Sequence, residues 1–353
     1  RLLSPQKGGP ETKTPTLIHP HVATPVVEET YSGGRSLVIQ SFILKGMSED
    51  AAEICLSSIT ESTLKQYDSG LKLWWQFCKS KGCDIFSPDI PNLLDFLTFH
   101  FKRGVAHGTL NSYRSAISLI STNSLSDNNS LKRFFKGIFT LKPSSPKYDT
   151  TWDPQIVLDH LRNSKNEVMS LQDLAAKLAT LLALTTAQRV QTLSLIDIRD
   201  IDRYHDGIEI KIPKRIKTSG RNRPQPVLKI PYLTKDPSIC VVKTLDDYLE
   251  RTSNVRSGYN TLFLTSRKPF MPATTQTVSR WIKSILLDSG LDTKIFSAHS
   301  TRHASTSAAA RKGVSLDIIR RAAGWTVKSS TFANFYNLPL LKSDDFAMTI
   351  LDV

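Results

Sequence analysis

Residues 297–336 read SAHSTRHASTSAAARKGVSLDIIRRAAGWTVKSSTFANFY, and the fold turns on how this stretch is taken. Its periodicity predicts helices over 298–312, 317–323 and 329–336. His299 and Arg302 are three apart, so they share one face of the first helix. Taken alone, that pair fits the surface of any soluble helix, and Tyr336 alone fits a packing or capping role. Their weight comes from what lies upstream.

Leu171–Leu184 is apolar on most faces and predicts a buried helix. Ala187-Gln188-Arg189-Val190 follows, and Leu193, Leu195, Asp197 and Ile198 lead toward a strand. Gly207-Ile208-Glu209-Ile210-Lys211-Ile212-Pro213 alternates in polarity, as a half-buried strand does. Pro226-Val227-Leu228-Lys229-Ile230 is its hairpin partner, across a basic turn that holds Ser219-Gly220. Further helices are expected over 154–161, 242–250 and 277–287, and a short strand at Thr261-Leu262-Phe263-Leu264. The region is therefore helical with a small antiparallel sheet. Before it, a helical pattern starts near Ser57 and carries Leu71, Trp74, Trp75 and Phe77, most simply as core residues, to a stop at Gly82. Three more helices follow over 90–101, 109–120 and 131–139.

The fold class is thus mainly α with a small antiparallel β-sheet. Residues 1–35 read as a disordered tail, with Pro5, Pro10, Pro15, Pro20 and Pro25 at regular intervals. Residues 36–142 form the helical domain, 143–153 an exposed linker of prolines and serines, and 154–353 the mixed domain.

The 353 residues carry a net charge of +14, from 46 Lys and Arg against 32 Asp and Glu. Residues 143–353 hold 30 basic and 20 acidic residues, so +10 of the excess lies there. That balance points toward a polyanionic partner or an acidic membrane surface. Lys211, Lys214, Arg215, Lys217, Arg221, Arg223 and Lys229 cluster in and beside the hairpin, as either a solvated loop or a phosphate-facing one. No run approaches the roughly 18 apolar residues of a membrane-spanning helix, and with the basic excess read as phosphate-facing no membrane partner is expected. The cysteines at 55, 78, 83 and 240 suit neither a disulfide framework nor a zinc site, which points to a reducing, intracellular compartment. A Gly-rich phosphate loop, a His-Glu-x-x-His motif and a carboxylate cluster are all missing, so no metal and no other cofactor is expected.

Arg189, the basic hairpin, His299-Ser300-Thr301-Arg302, Gly324-Trp325 and Tyr336 follow one another in an order and spacing that resemble the tyrosine recombinase (phage integrase) family. Residues 297–336, with Gly313-Val314-Ser315 and Gly324-Trp325-Thr326, look most like its Cre-like branch. Leu184-Thr185-Thr186-Ala187-Gln188-Arg189 and Lys217-Thr218-Ser219 are also similar to recombinases of DIRS-like retroelements and Crypton-type transposons. The likeness covers residues 150–345; the helical domain is similar in kind only.

The resemblance implies a helical, SAM-like core-binding domain that binds DNA and an α+β catalytic domain, together clamping a duplex. It implies catalytic roles for Arg189, Lys217, His299, Arg302, Trp325 and Tyr336, with Lys214 as the alternative to Lys217. Two guanidinium forks would hold the scissile phosphate and stabilise its transition state. Tyr336 would attack, His299 would take its proton, and Lys217 would protonate the leaving deoxyribose oxygen. Trp325 would donate to a phosphate oxygen or pack the core, or both. Thr192 stands where the family commonly has an acid, and Tyr336 follows Trp325 by 11 residues, slightly more than in the Cre-like branch. Lys72, Lys102, Arg103 and Arg114 in the helical domain, and Lys214, Arg215, Arg221 and Arg223 around the hairpin, are candidate DNA-backbone contacts.

The expected partners are double-stranded DNA and further copies of the chain in a tetrameric synapse. Leu338, Leu340, Leu341, Phe346 and Ile350 would pack either in cis or on a neighbouring protomer. The location would be nuclear for a eukaryotic mobile element and otherwise intracellular. The function so implied is site-specific recombination or integration of a mobile element through a phosphotyrosyl intermediate. The alternatives are a non-catalytic DNA-binding protein of the same fold and a type IB topoisomerase-like enzyme.

Overall fold

A computed structural model describes residues 30–125, 127–143, 147–220, 223, 225–326 and 329–340. Its contacts divide the chain into two units, residues 1–145 and 146–353.

Among the described residues the first unit holds six helices: α1 (Gly34–Leu44), α2 (Glu49–Leu56), α3 (Glu61–Lys81), α4 (Ile90–Lys102), α5 (His107–Ile120) and α6 (Asn129–Leu141). Four of them start on a side chain that accepts from an otherwise unpaired backbone N–H: Ser48, Thr60, Asp89 and Asn128. Gly82 ends α3 in the left-handed conformation, as its place in the sequence predicts. Leu71, Trp74 and Cys78 lie on one stripe of α3 and are fully buried against Phe96, Leu97, Ile117 and Ile120. Burying one such side chain as large as Phe96 is worth about 1.5–3 kcal/mol. Trp74 keeps its indole N–H satisfied on the Ile85 carbonyl at 3.1 Å, which lets it sit at the centre.

The tail is shorter than composition implies. Gly34 and Arg35 belong to α1, where the Gly34 N–H and the Tyr31 hydroxyl both donate to Asp68 Oδ1, at 2.7 and 2.9 Å. Arg35 reaches Glu53 at 2.7 Å. Residues 1–29 lie outside the described residues. The linker is also shorter. Tyr148 and Trp152, inside the 143–153 stretch, are buried in the second unit. Their polar atoms meet Ser297 Oγ at 2.8 Å and Ser300 Oγ at 2.9 Å. Two aromatic anchors outweigh the surrounding polar residues.

The second unit contains α7 (Pro154–Arg162), α8 (Leu171–Thr186), α9 (Val190–Ser194), β1 (Ile201–Arg203), β2 (Gly207–Lys211) and β3 (Val227–Pro231). After these come α10 (Val241–Thr252), α11 (Thr275–Asp288), α12 (Ser300–Arg311), α13 (Leu316–Ala322) and α14 (Thr331–Phe335). Buried almost all round, α8 is packed by α10, α11 and α12. The sheet is antiparallel in the order β1-β2-β3, with Ile208 opposite Ile230 and Ile210 opposite both Ile201 and Leu228. Gly207 is required where β2 meets β3, since a Cβ there would come within 2.3 Å of the Ile230 carbonyl oxygen.

Thr261–Leu264 is not a strand of this sheet. Side chains and single bridges satisfy its backbone instead: Arg256 donates to the Thr261 and Leu262 carbonyls, and the Tyr248 hydroxyl accepts from the Leu264 N–H. From Tyr336 to Leu340 the chain stays on its own unit. Leu338 packs on the core, the Thr151 N–H donates to the Pro339 carbonyl at 2.8 Å, and Thr151 pairs in parallel with Leu340. Leu341, Phe346 and Ile350 lie outside the described residues. Among the described residues no helix is long and apolar enough to cross a membrane.

Candidate active site

The site is assembled where α8 and α13 end against the first turns of α12. Ala187 caps α8 with φ of 51°, a left-handed backbone that costs a non-glycine residue roughly 1–2 kcal/mol. That turn aims the Ala187 carbonyl at Arg302, whose Nη1 donates to it at 2.6 Å. The other arm, Nη2, donates to the Ala323 carbonyl at the end of α13, at 2.5 Å. Arg302 is thus a fully buried cation held by the C-terminal carbonyls of two helices, the negative ends of their dipoles, and by no carboxylate. Gln188 ties the same two helix ends together through the Ala322 carbonyl at 2.7 Å.

The Arg302 guanidinium lies 4.4 Å from the centre of the Trp325 ring and 5.6 Å from that of Tyr336. Burial and the neighbouring Arg189 lower its pKa to about 10, so it stays charged at neutral pH. Its Nε has no hydrogen-bond partner, and neither does the buried indole N–H of Trp325. Arg189 caps α9 beside this cluster, half-buried. Among the described residues no Asp or Glu pairs with Arg189, Arg302 or His299. Thr192, in the position of the family's acid, is buried and spends its N–H on the Arg189 carbonyl at 2.8 Å.

Tyr336 closes the site. It is buried, and its hydroxyl lies 3.0 Å from His299 Nε2. Protein packed around the ring, together with the cations Arg302, Arg189, Lys147 and Lys217, lowers the His299 pKa to about 4. Solvent still reaches part of this residue, so the four cations matter to the direction of the shift as well as dehydration. His299 is therefore neutral at pH 7 and can accept a proton from the phenol.

Five of the six predicted catalytic residues, Arg189, His299, Arg302, Trp325 and Tyr336, gather in this one cluster. Lys217, the sixth, sits exposed in the hairpin turn, near enough for its charge to act on His299. The alternative, Lys214, lies 3.9 Å from Asp197, a carboxylate that also binds Arg199. The basic hairpin is less free than its composition suggests, because Lys211 pairs with Asp202 at 2.6 Å and Lys229 with Glu209 at 2.5 Å. Arg215 and Arg223 are exposed, and Arg221 lies outside the described residues. In the first unit Lys72 projects from α3, and Lys102 and Arg103 from the end of α4. Arg103 rests over Phe99 and Arg114, on α5, over Phe135.

Sequence reasoning passed over Ser307 and Lys147 here, and read His303 as either supporting the site or merely filling its helix. His303 is stacked on the Tyr336 ring, with centres 4.0 Å apart and planes within 12°. The buried Ser307 hydroxyl donates to the Tyr336 carbonyl and accepts from the Leu338 N–H at 3.1 Å. Lys147 adds charge to both histidines. The i, i+4, i+8 spacing of His299, His303 and Ser307 was the available signal.

Solved structures with the same fold include the XerH site-specific recombinase in a post-cleavage complex with palindromic difH substrate. It is 15% identical, with a TM-score of 0.59, over 93% of this chain and 99% of that one. The Tn1549 transposon integrase in complex with transposon right end DNA is 16% identical, with a TM-score of 0.54, over 91% and 100%. A lambda integrase dimer bound to a COC' core site is 17% identical, with a TM-score of 0.50, over 86% and 76%. A search of curated proteins by sequence returned no match. The profile of the Phage integrase family matches residues 157–339, more than half of the chain and the whole of the cluster around Tyr336, and the chain belongs to that family.

Proposed function

We propose that the chain is a site-specific DNA recombinase that cleaves and rejoins duplex DNA through Tyr336, in the service of a mobile element. The observation that carries this reading is the pair of buried, unpartnered N–H groups, Arg302 Nε and Trp325 Nε1, beside a phenol and an uncompensated Arg189. Buried donors left unpaired cost about 1–3 kcal/mol each, and an anion with several acceptor oxygens removes that cost. A phosphodiester is such an anion.

In the reaction the Tyr336 oxygen bonds to phosphorus while its proton passes to His299 Nε2. Binding the phosphate offsets the cationic field on His299 and raises its affinity for that proton. The bond from phosphorus to the leaving deoxyribose oxygen breaks, and Lys217 supplies the proton that oxygen needs. Arg189 and Arg302 hold the charge that builds on the non-bridging oxygens. The phosphotyrosyl ester keeps the bond energy, so attack by the freed hydroxyl reverses every step without ATP. The residues around Arg189 and Lys217 support a relation to DIRS-like or Crypton-type recombinases, hence a nuclear site of action. Catalysis is proposed to occur in a tetramer of the chain on DNA.

The test uses nicked duplex oligonucleotides carrying the genomic sequence on either side of the coding region. The expected result is a covalent protein–DNA adduct that survives denaturation and is lost with Tyr336→Phe. An adduct undiminished in Tyr336→Phe overturns the assignment. Salt-sensitive DNA binding with no adduct on any such duplex favours a non-catalytic binder.

A further inference from the structure

His299, His303, Ser307 and Arg311 follow one another at four-residue intervals along α12 and so form one slowly turning stripe. Each touches a successive part of the chain around Tyr336. His299 meets the hydroxyl at 3.0 Å, and His303 covers the ring face at 4.0 Å. Ser307 clasps the Tyr336 carbonyl and the Leu338 N–H, and Arg311 donates to the Leu338 carbonyl at 3.3 Å. Only the first of these contacts concerns the atom that reacts. The others fix where that atom stands.

We propose that His303 and Ser307 are positioning residues that hold Tyr336 in attack register: Ser307 fixes the backbone on both sides of it and His303 fixes the plane of its ring. This rests on the reading of Tyr336 as the nucleophile. A phenol reaches a phosphorus atom along a narrow line, and an error near 1 Å in such placement can cost about 100-fold in rate. The α14 helix ends at Phe335, so no further helical turn holds Tyr336 beyond its own N–H bond to the Phe332 carbonyl at 2.9 Å. The stripe on α12 supplies the missing constraint. Because the same helix carries Arg302, the phosphate clamp and the nucleophile are referred to one rigid element.

Two reactions separate positioning from general damage to the site. The first is adduct formation by Tyr336 on the nicked duplexes. The second starts from an oligonucleotide whose terminal phosphate bears a p-nitrophenyl ester in place of Tyr336, and measures its joining to the strand with the free hydroxyl. The second needs the phosphate clamp but not the register of the phenol. Ser307→Ala and His303→Ala are expected to slow adduct formation by 10-fold to 100-fold and to change ester joining by less than about threefold. His303→Phe, which keeps a flat ring, is expected to recover most of the loss. Parallel losses in both reactions, or full adduct formation by Ser307→Ala and His303→Ala, overturn the proposal. Adducts that persist in Tyr336→Phe overturn the nucleophile assignment instead. Circular dichroism of each variant confirms that it folds, and Ser307→Cys, of nearly the same volume with a weaker donor, replaces any alanine variant that does not.

Discussion

Lowering the pH from 7 to 5 is expected to destabilise the second unit through His303. This imidazole is buried between the rings of Tyr336 and Tyr148, with His299 at its edge and the charges of Arg302 and Lys147 nearby. Dehydration, then His299 and the two cations, outweigh the Phe335 backbone and lower its pKa from 6.5 to about 4. The folded protein therefore takes up a proton less readily than the unfolded chain. The stability contribution is complete above pH 6.5 and is lost as the pH falls from there toward 4. The full loss is roughly 3 kcal/mol, and linkage assigns about 2 kcal/mol of it to the step from pH 7 to 5. His303→Phe keeps a ring in the gap but removes the proton site. In urea titrations followed by near-ultraviolet circular dichroism, the parent should lose about 2 kcal/mol more than His303→Phe over that step. The helical unit is the same in both proteins and cancels from the comparison. Equal losses in the two proteins would refute the argument that an uncharged His303 is built into the packing around Tyr336.

Arg302→Lys loses the fork that spans the Ala187 and Ala323 carbonyls, so DNA cleavage should fall at least 100-fold and urea stability by about 1–3 kcal/mol; near-parental cleavage rates would contradict the bidentate role. Lys217→Ala should slow cleavage of an ordinary phosphodiester far more than Lys214→Ala, and the reverse order in a single-turnover assay would move the general acid to Lys214. Lys177 on α8 is fully buried with one hydrogen bond, to the Ser164 carbonyl at 2.6 Å, and burial lowers its pKa to about 8. Lys177→Met should be as stable as the parent at pH 7 or up to about 2 kcal/mol more so, and a loss above 1 kcal/mol would show that the ammonium is well paired. Gly207→Ala should cost about 2–4 kcal/mol, read as a fall in melting temperature, because the strands must part to admit the Cβ.

Most helices were legible because their apolar residues recur with the helical period, and α3 from Leu64 to Gly82 is the clearest case. The alternation of Ile208 and Ile210 revealed β2, but the three residues of β1 are too few to show a period. α1 was hidden because Gly33 and Gly34 read as linker, although Gly33 supplies the turn that starts the helix. Thr261–Leu264 has the composition of a strand and is denied a ladder by Arg256 and Tyr248, whose approach is a tertiary fact. At the site, residue order singled out Arg189, His299, Arg302, Trp325 and Tyr336, which the fold gathers in one cluster. It could not show that Arg302 is held by two carbonyls, nor that His303 lies flat on Tyr336. Those contacts join residues up to 115 positions apart and exist only once α8, α12 and α13 are packed.

The pairing of Thr151 with Pro339 and Leu340 ties the first buried stretch of the second unit to the segment that follows Tyr336. A shift of either segment is therefore passed to the other across a backbone hydrogen bond of 2.8 Å. The stretch that leads into this unit and the residues beyond Tyr336 thus move as one mechanical link.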